Sequence, residues 1–190
     1  QKPALIYDKT GDEHYDIISA FIKSMRGSDS DATLYYMARM LASGEDPLFI
    51  ARRMVIFAAE DVGLADPQAL ILAQNALQAL KEIGMPEGRI ILSEVGIYLA
   101  LAPKSNAGYL AIEKAFGAIK EGKIAPVPDH LKESHYKGAK NLGRGIGYRY
   151  PHDYEGHWVK QDYLPERYKD LVLYHPDENA IYQKRRKDDE

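Results

Sequence analysis

The sequence predicts an all-α domain, and three observations carry that reading. Apolar residues recur at helical spacing from about Glu13 to Gly122, the breaks between runs carry helix stop and start chemistry, and no alternating strand pattern of any length is present. The first run sets Ile17, Ile18, Phe21, Ile22 and Met25 on one face and stops at Gly27. Ser28 to Asp31 then offers side-chain oxygens that can cap a second run, where Leu34, Met37, Ala38 and Leu41 keep the helical stripe as far as Ser43 and Gly44. Asp46-Pro47 and Asp66-Pro67 repeat one signal: a carboxylate for the orphan N–H groups, then proline where no donor is needed. The first opens a run with Ile50, Met54, Phe57 and Ala58; the second opens one with Leu70, Ala73, Leu77 and Leu80, which Gly84 ends. Pro86 opens a fifth run, with Ile90, Ile91, Val95, Tyr98 and Leu101, and Pro103 stops it. Ser105 or Asn106 caps a sixth, whose stripe is Tyr109, Ile112, Phe116 and Ile119 and whose stop is Gly122. Short connections force such helices to pack nearly antiparallel, so residues 1–122 are expected to form a compact multi-helix bundle with every stripe in the core.

After Lys123 the pattern breaks. Pro126, Pro128, Pro151, Pro165 and Pro176 and the alternation Gly143, Gly145, Gly147 interrupt any period, leaving room for a short helix near Asp129 to Tyr136. Tyr136, Tyr148, Tyr150, Tyr154, Trp158, Tyr163, Tyr168 and Tyr174 are too many aromatics for a free tail. Residues 123–190 are therefore expected to be an irregular segment packed on the helical body or on a neighbouring subunit, with Lys184 to Glu190 as a frayed charged end.

Composition narrows the function. The chain has 190 residues, 25 Lys and Arg against 28 Asp and Glu, and a formal net charge of -3, which excludes a globally basic nucleic-acid binder but leaves room for a local patch. Zero cysteines exclude disulfides, thiol nucleophiles and cysteine-ligated zinc. No run is long and apolar enough to span a membrane, and no charged-then-apolar leader follows Gln1, so a cytoplasmic piece of a longer protein is expected.

No catalytic, cofactor-binding or metal-ligating constellation stands out. Gly117 to Lys123 fits the G-x-x-x-x-G-K spacing of a phosphate loop, but Ile124 replaces the magnesium-binding hydroxyl and a helix precedes the string where a strand is needed. Gly143-Arg144-Gly145-Ile146-Gly147 lacks the strand and helix of a dinucleotide site. His130, His135, His152 and His157 lie near Asp129, Asp153 and Glu155 without metal-site spacing, and Ser93, Ser105 and Ser134 lack a nucleophile elbow. Glu60 and Asp61 read as caps or as partners of Arg52 or Arg53. The one local signal is charge: Lys137, Lys140, Arg144 and Arg149 fall in a stretch with no acid, from Ser134 to Arg149, interleaved with Tyr136, Tyr148 and Tyr150. Cations that track phosphates beside rings that stack on bases suit single-stranded nucleic acid; the alternative is a solvated loop whose tyrosines pack inward.

The strings YDKTGDEHYD, KSMRGSDSDA, GEDPLFIARRM, AAEDVGLADP, PEGRI, YLALAPKSN, VPDHL, YKGAKNLG and YPHDY occur in that order. Together they resemble the C-terminal region of the RarA/MgsA family, relatives of the Werner-helicase-interacting ATPase, from about Ala4 to Pro165. The resemblance implies a fold like the clamp-loader collar, an oligomerisation role and a homotetramer. It also implies an absent N-terminal AAA+ module that holds ATP and magnesium, so that this piece is no enzyme by itself. The whole protein would be a DNA-dependent ATPase of replication-fork maintenance, recombination and repair, nucleoid-associated in a bacterium and associated with single-stranded DNA-binding protein.

Overall fold

The computed structural model describes residues 11–184 apart from Lys123. The chain divides into two units, one formed by residues up to Ile112 together with Tyr174–Lys184, the other by Glu113–Leu173. That division falls inside the sixth helix and not after Gly122, and it returns the last described residues to the first unit.

The first unit holds the helices the periodicity predicts: α1 Asp12–Arg26, α2 Ser30–Ala42, α3 Pro47–Phe57, α4 Gln68–Ile83, α5 Gly88–Leu101 and the start of α6, Ala107–Gly122. Local chemistry sets most boundaries. Asp29 caps α2 by accepting from Ala32 N–H at 2.9 Å, and Asp46 caps α3 by accepting from Leu48 N–H at 2.9 Å, with Pro47 in the first turn. Asp66 accepts from Gln68 N–H at 3.2 Å and takes the Tyr98 hydroxyl on its second oxygen. That hydrogen bond raises the Tyr98 phenol above its ordinary pKa, because it stabilises the protonated form. Gly84, with φ of +74°, ends α4.

The core is apolar and centred on α5, which touches each of α1, α2, α3 and α4. A helix apolar on several sides belongs inside, and α5 buries Leu92, Val95, Gly96, Leu99 and Ala100. Gly96 is there for clearance: a Cβ at that position would lie 2.8 Å from Met37 Cε. Around α5 pack Phe21 and Met25 of α1, Met40 of α2, and Ile50, Met54 and Phe57 of α3, each at most 2% exposed. One buried polar contact joins α1 to the connection after α2, where His14 Nδ1 lies 3.2 Å from Glu45 Oε2.

A second polar junction closes the unit. After α3 the chain widens into a π turn, Ala58–Val62, which places the buried Asp61 against Arg26 at the end of α1, with nitrogen-to-oxygen distances of 2.8 and 3.2 Å. Asp61 thus pairs with Arg26 and not with Arg52 or Arg53, because the π turn carries its carboxylate toward α1. Ser105 N–H donates to the Asp61 carbonyl at 2.9 Å, and Ser105 Oγ donates to Asp177 Oδ2 at 2.5 Å. Asn179 Nδ2 donates to the Lys104 carbonyl at 3.0 Å, Ile181 N–H to the Leu64 carbonyl at 2.9 Å, and Ala180 is buried. The segment 174–184 is thereby fastened to the helices. Lys104 Nζ caps the end of α5 on the carbonyls of Ala100 and Ala102, at 2.9 and 2.6 Å.

The second unit begins in α6 and continues without regular helix or strand among its described residues. The short helix expected near Asp129 to Tyr136 is only a 3₁₀ turn, Asp129–Leu131. Glu133 stops it: its carboxylate accepts from the N–H groups of Ser134 and His135 at 2.9 and 2.8 Å, taking donors a helix would use. Those bonds, His135 N–H foremost, hold the Glu133 carboxyl below the usual carboxylate range. Gly145, at φ of +74°, lies where a Cβ would be 2.5 Å from Ser134 Oγ, and its N–H donates to the Asp129 carbonyl at 2.7 Å. The charged end at 185–190 lies outside the described residues.

Two outcomes follow from the junction. Gly63 sits at φ of +50°, and a Cβ there would fall 2.6 Å from the Ser105 carbonyl oxygen. Gly63→Ala is therefore expected to lower stability by about 1–3 kcal/mol, read as a lower urea midpoint with unchanged slope. The Ser105 hydroxyl holds the Asp177 carboxyl below its ordinary range, so its contribution is complete above the unfolded carboxylate pKa and is lost as pH falls through the lower folded value. Amide exchange at residues 177–181 should accelerate on acidification in the wild type, whereas Asp177→Asn should exchange faster at neutral pH and respond less to acid.

Candidate interaction surfaces

The basic and aromatic stretch lies wholly in the second unit, and its residues do not act alike. Arg144 is committed to the loop: its Nε donates to the Glu133 carbonyl at 2.8 Å and its guanidinium lies 5.5 Å from the centre of the Tyr136 ring. Arg149 is held as well, its guanidinium on the Lys160 carbonyl at 3.3 Å, while its backbone N–H and carbonyl pair with the Gln161 amide at 3.2 and 2.7 Å. Tyr148 lines a cleft of about 420 Å³ with His130, Ser134, His135, Gly145 and Tyr163. Tyr150 meets the His152 ring edge-on, and His152 Nδ1 faces His157 Nδ1 at 3.0 Å. Lys137 and Lys140 are exposed. The six residues singled out from the sequence are thus distributed among loop fastening, a cleft wall and solvent.

The other motifs resolve simply. Gly117 to Gly122 is α-helix, so its backbone N–H groups are spent on the helix ladder and cradle no phosphate; Lys123 lies outside the described residues. Among the described residues no three His, Asp or Glu side chains come together to hold a metal ion. Ser105, weighed as a nucleophile, is buried and fully engaged with Asp61 and Asp177.

The sequence misassigns the stripe of α6. Tyr109, Ile112, Phe116 and Ile119 lie at core spacing, yet all are exposed, Phe116 to 66% and Ile112 and Ile119 each to 53%. Ala107 is the buried residue of this helix. Within the second unit the inward face is the neighbouring stripe of small residues, where Ala115 and Ala118, joined by Ile119 from the edge of the exposed row, line an apolar cavity of about 390 Å³ with Leu164, Tyr168 and Leu171. Tyr168 Oη donates to the Ala118 carbonyl at 3.4 Å, and a Cβ on Gly122 would fall 2.4 Å from that oxygen. The signal available in the sequence is the double stripe itself: α6 is apolar or small on most of its circumference, which one packing face does not explain.

One apolar groove of about 600 Å³ opens in the first unit, walled by Leu34, Met37 and Leu41 of α2 and by Met85, Pro86 and Arg89. Among the described residues no helix is long and apolar enough to cross a membrane.

Comparison with known proteins gives the context. The family profile described as MgsA AAA+ ATPase C terminal matches residues 27–189, and one described as AAA C-terminal domain matches residues 1–26. The chain is 50% identical over 183 residues to Replication-associated recombination protein A of Bacillus subtilis, covering 96% of this chain and 43% of that protein. It is 40% identical over 176 residues to the Escherichia coli protein of the same name, covering 92% of this chain and 39% of that one. It is 46% identical over 172 residues to ATPase WRNIP1 of Dictyostelium discoideum, covering 89% of this chain and 19% of that protein. The chain therefore spans less than half the length of these relatives.

The contacts of Arg144 give a direct expectation. Arg144→Ala should speed amide exchange across residues 133–145 while leaving the helical circular dichroism unchanged, and Lys140→Ala, which removes an exposed cation, should alter neither.

Proposed function

From the premise that this chain belongs to the family of MgsA AAA+ ATPase C-terminal domains, we propose that it is the self-association module of a replication-associated recombination ATPase. The observation that carries the reading is the outer face of α6, where Tyr109, Ile112, Phe116 and Ile119 stand exposed along one helix. Exposed apolar residues are ordinary when scattered, but an aligned row on a regular element marks a surface that another protein covers. A homo-oligomer suits it because closed symmetry buries the same row on every subunit. The expected assembly is a tetramer, which would set the spacing of ATPase modules, carrying ATP and magnesium, on DNA.

The rival role, a single-strand-binding module, has less to stand on: Arg144 is half-buried, and both it and the exposed Arg149 give a guanidinium donor to a loop carbonyl, while Lys137 and Lys140 are exposed. Single-stranded DNA and its binding protein are accordingly proposed as partners of the whole assembly, reached through other parts of it.

Light scattering across protein concentration, with and without a single-stranded oligonucleotide, tests both. A tetrameric mass that is independent of DNA is expected. A monomer at every concentration would overturn self-association, and a monomer that gains mass only with oligonucleotide, reversibly with salt, would favour the binding role.

A further inference from the structure

We propose that α6 pairs antiparallel with α6 of a second copy, across a two-fold axis at Phe116. This inference rests on the self-association reading above and specifies its interface. Three features of the helix support it.

The first is shape. Phe116 is the most exposed of the apolar row, and beside it Gly117 has nothing within 4 Å of where its Cβ would be. A large side chain next to open space over a bare backbone lets a second helix come close enough to pack on the ring.

Charge provides the second. Glu113 and Lys120 are both exposed and lie on the same edge of the apolar row, three residues before and four after Phe116. An isologous contact requires that if residue i meets j, then j meets i. With the axis at Phe116, antiparallel helices place Ile112 within one residue, about 1.5 Å along the axis, of the level of Ile119 of the second copy, and Glu113 equally close to its Lys120. The ion pair forms twice, once on each side of the axis.

The third feature discriminates direction. In a parallel pair each edge of the row meets the opposite edge of the partner helix, so Glu113 and Lys120 would face that other edge. The residues on the other edge of the row, Gly108 and Ala115, carry no charge to answer them. The parallel arrangement therefore leaves both charges without a partner across the interface, where the antiparallel one pairs each of them, so the sequence of α6 selects the antiparallel one. A closed tetramer of dihedral symmetry needs two-fold contacts of this kind, and α6 supplies one of them.

Charge-swap variants followed by light scattering and dissociation on dilution test the pairing. Phe116→Glu is expected to halve the oligomer mass; the site is exposed, so circular dichroism should match the wild type. E113K and K120E, each turning two attractions into two repulsions, should each raise the dissociation midpoint about tenfold. The double variant E113K/K120E restores opposite charges across the axis and should return to near the wild-type midpoint. An oligomer indifferent to Phe116→Glu, or a double variant no tighter than the singles, would overturn the α6 pairing while leaving self-association standing. A wild-type chain monomeric at all concentrations would overturn both.

Discussion

The first unit is held shut by the polar junction at Ser105. Its N–H serves the Asp61 carbonyl, its hydroxyl serves Asp177, and its own carbonyl lies so close to Gly63 that no side chain fits between them. Through Asp61 the junction reaches Arg26 at the end of α1. Three separate stretches of chain therefore depend on one loop between α5 and α6. Apolar burial supplies the bulk of the driving force but has no directional preference. It is the hydrogen bonds at Asp61, Ser105 and Asp177 that fix where the π turn, the loop and the returning segment stand relative to the helices.

The helices were legible in the sequence because their signals are local. Asp29, Asp46 and Pro47 announce their ends with atoms two or three residues away, and runs such as Ile17, Phe21 and Met25 or Ala69, Ala73, Ala76 and Leu80 repeat at the helical period. The junction was not legible, since Ser105 and Asp177 are far apart in the chain and neither residue type signals its partner. Glu133 shows a subtler failure: composition allowed a helix after Asp129, but one carboxylate capturing two backbone donors was enough to turn the chain instead. The stripe of α6 obeyed helical spacing and still pointed outward. Periodicity identifies a face that avoids water; it does not say whether the chain's own core or another molecule does the covering.

The same distinction governs the candidate site. A run of Lys and Arg among tyrosines is what a nucleic-acid surface asks for, but it is also what an irregular segment uses to fasten itself. Here Arg144 and Arg149 are spent on the carbonyls of Glu133 and Lys160. A segment without ladders must satisfy its backbone groups with side chains, and arginine, with several donors on a rigid plane, does so efficiently. Family membership fixes the setting as the C-terminal part of an AAA+ ATPase, while the geometry of the loop arginines gives them a part in the loop's own architecture.

The return of residues 174–184 to the helices carries a topological consequence. Because Ile181 pairs with Leu64 and Ala180 is buried there, the whole stretch 113–173 is a detour whose departure and arrival are both anchored in the same host. Closing a longer detour costs little, about 0.6 kcal/mol for each doubling of its length. The host can therefore tolerate insertions, deletions and wholesale rewriting of its guest without losing its own core. Evolution is free to retune the guest's surface for new company while the helices of the host stay as they are.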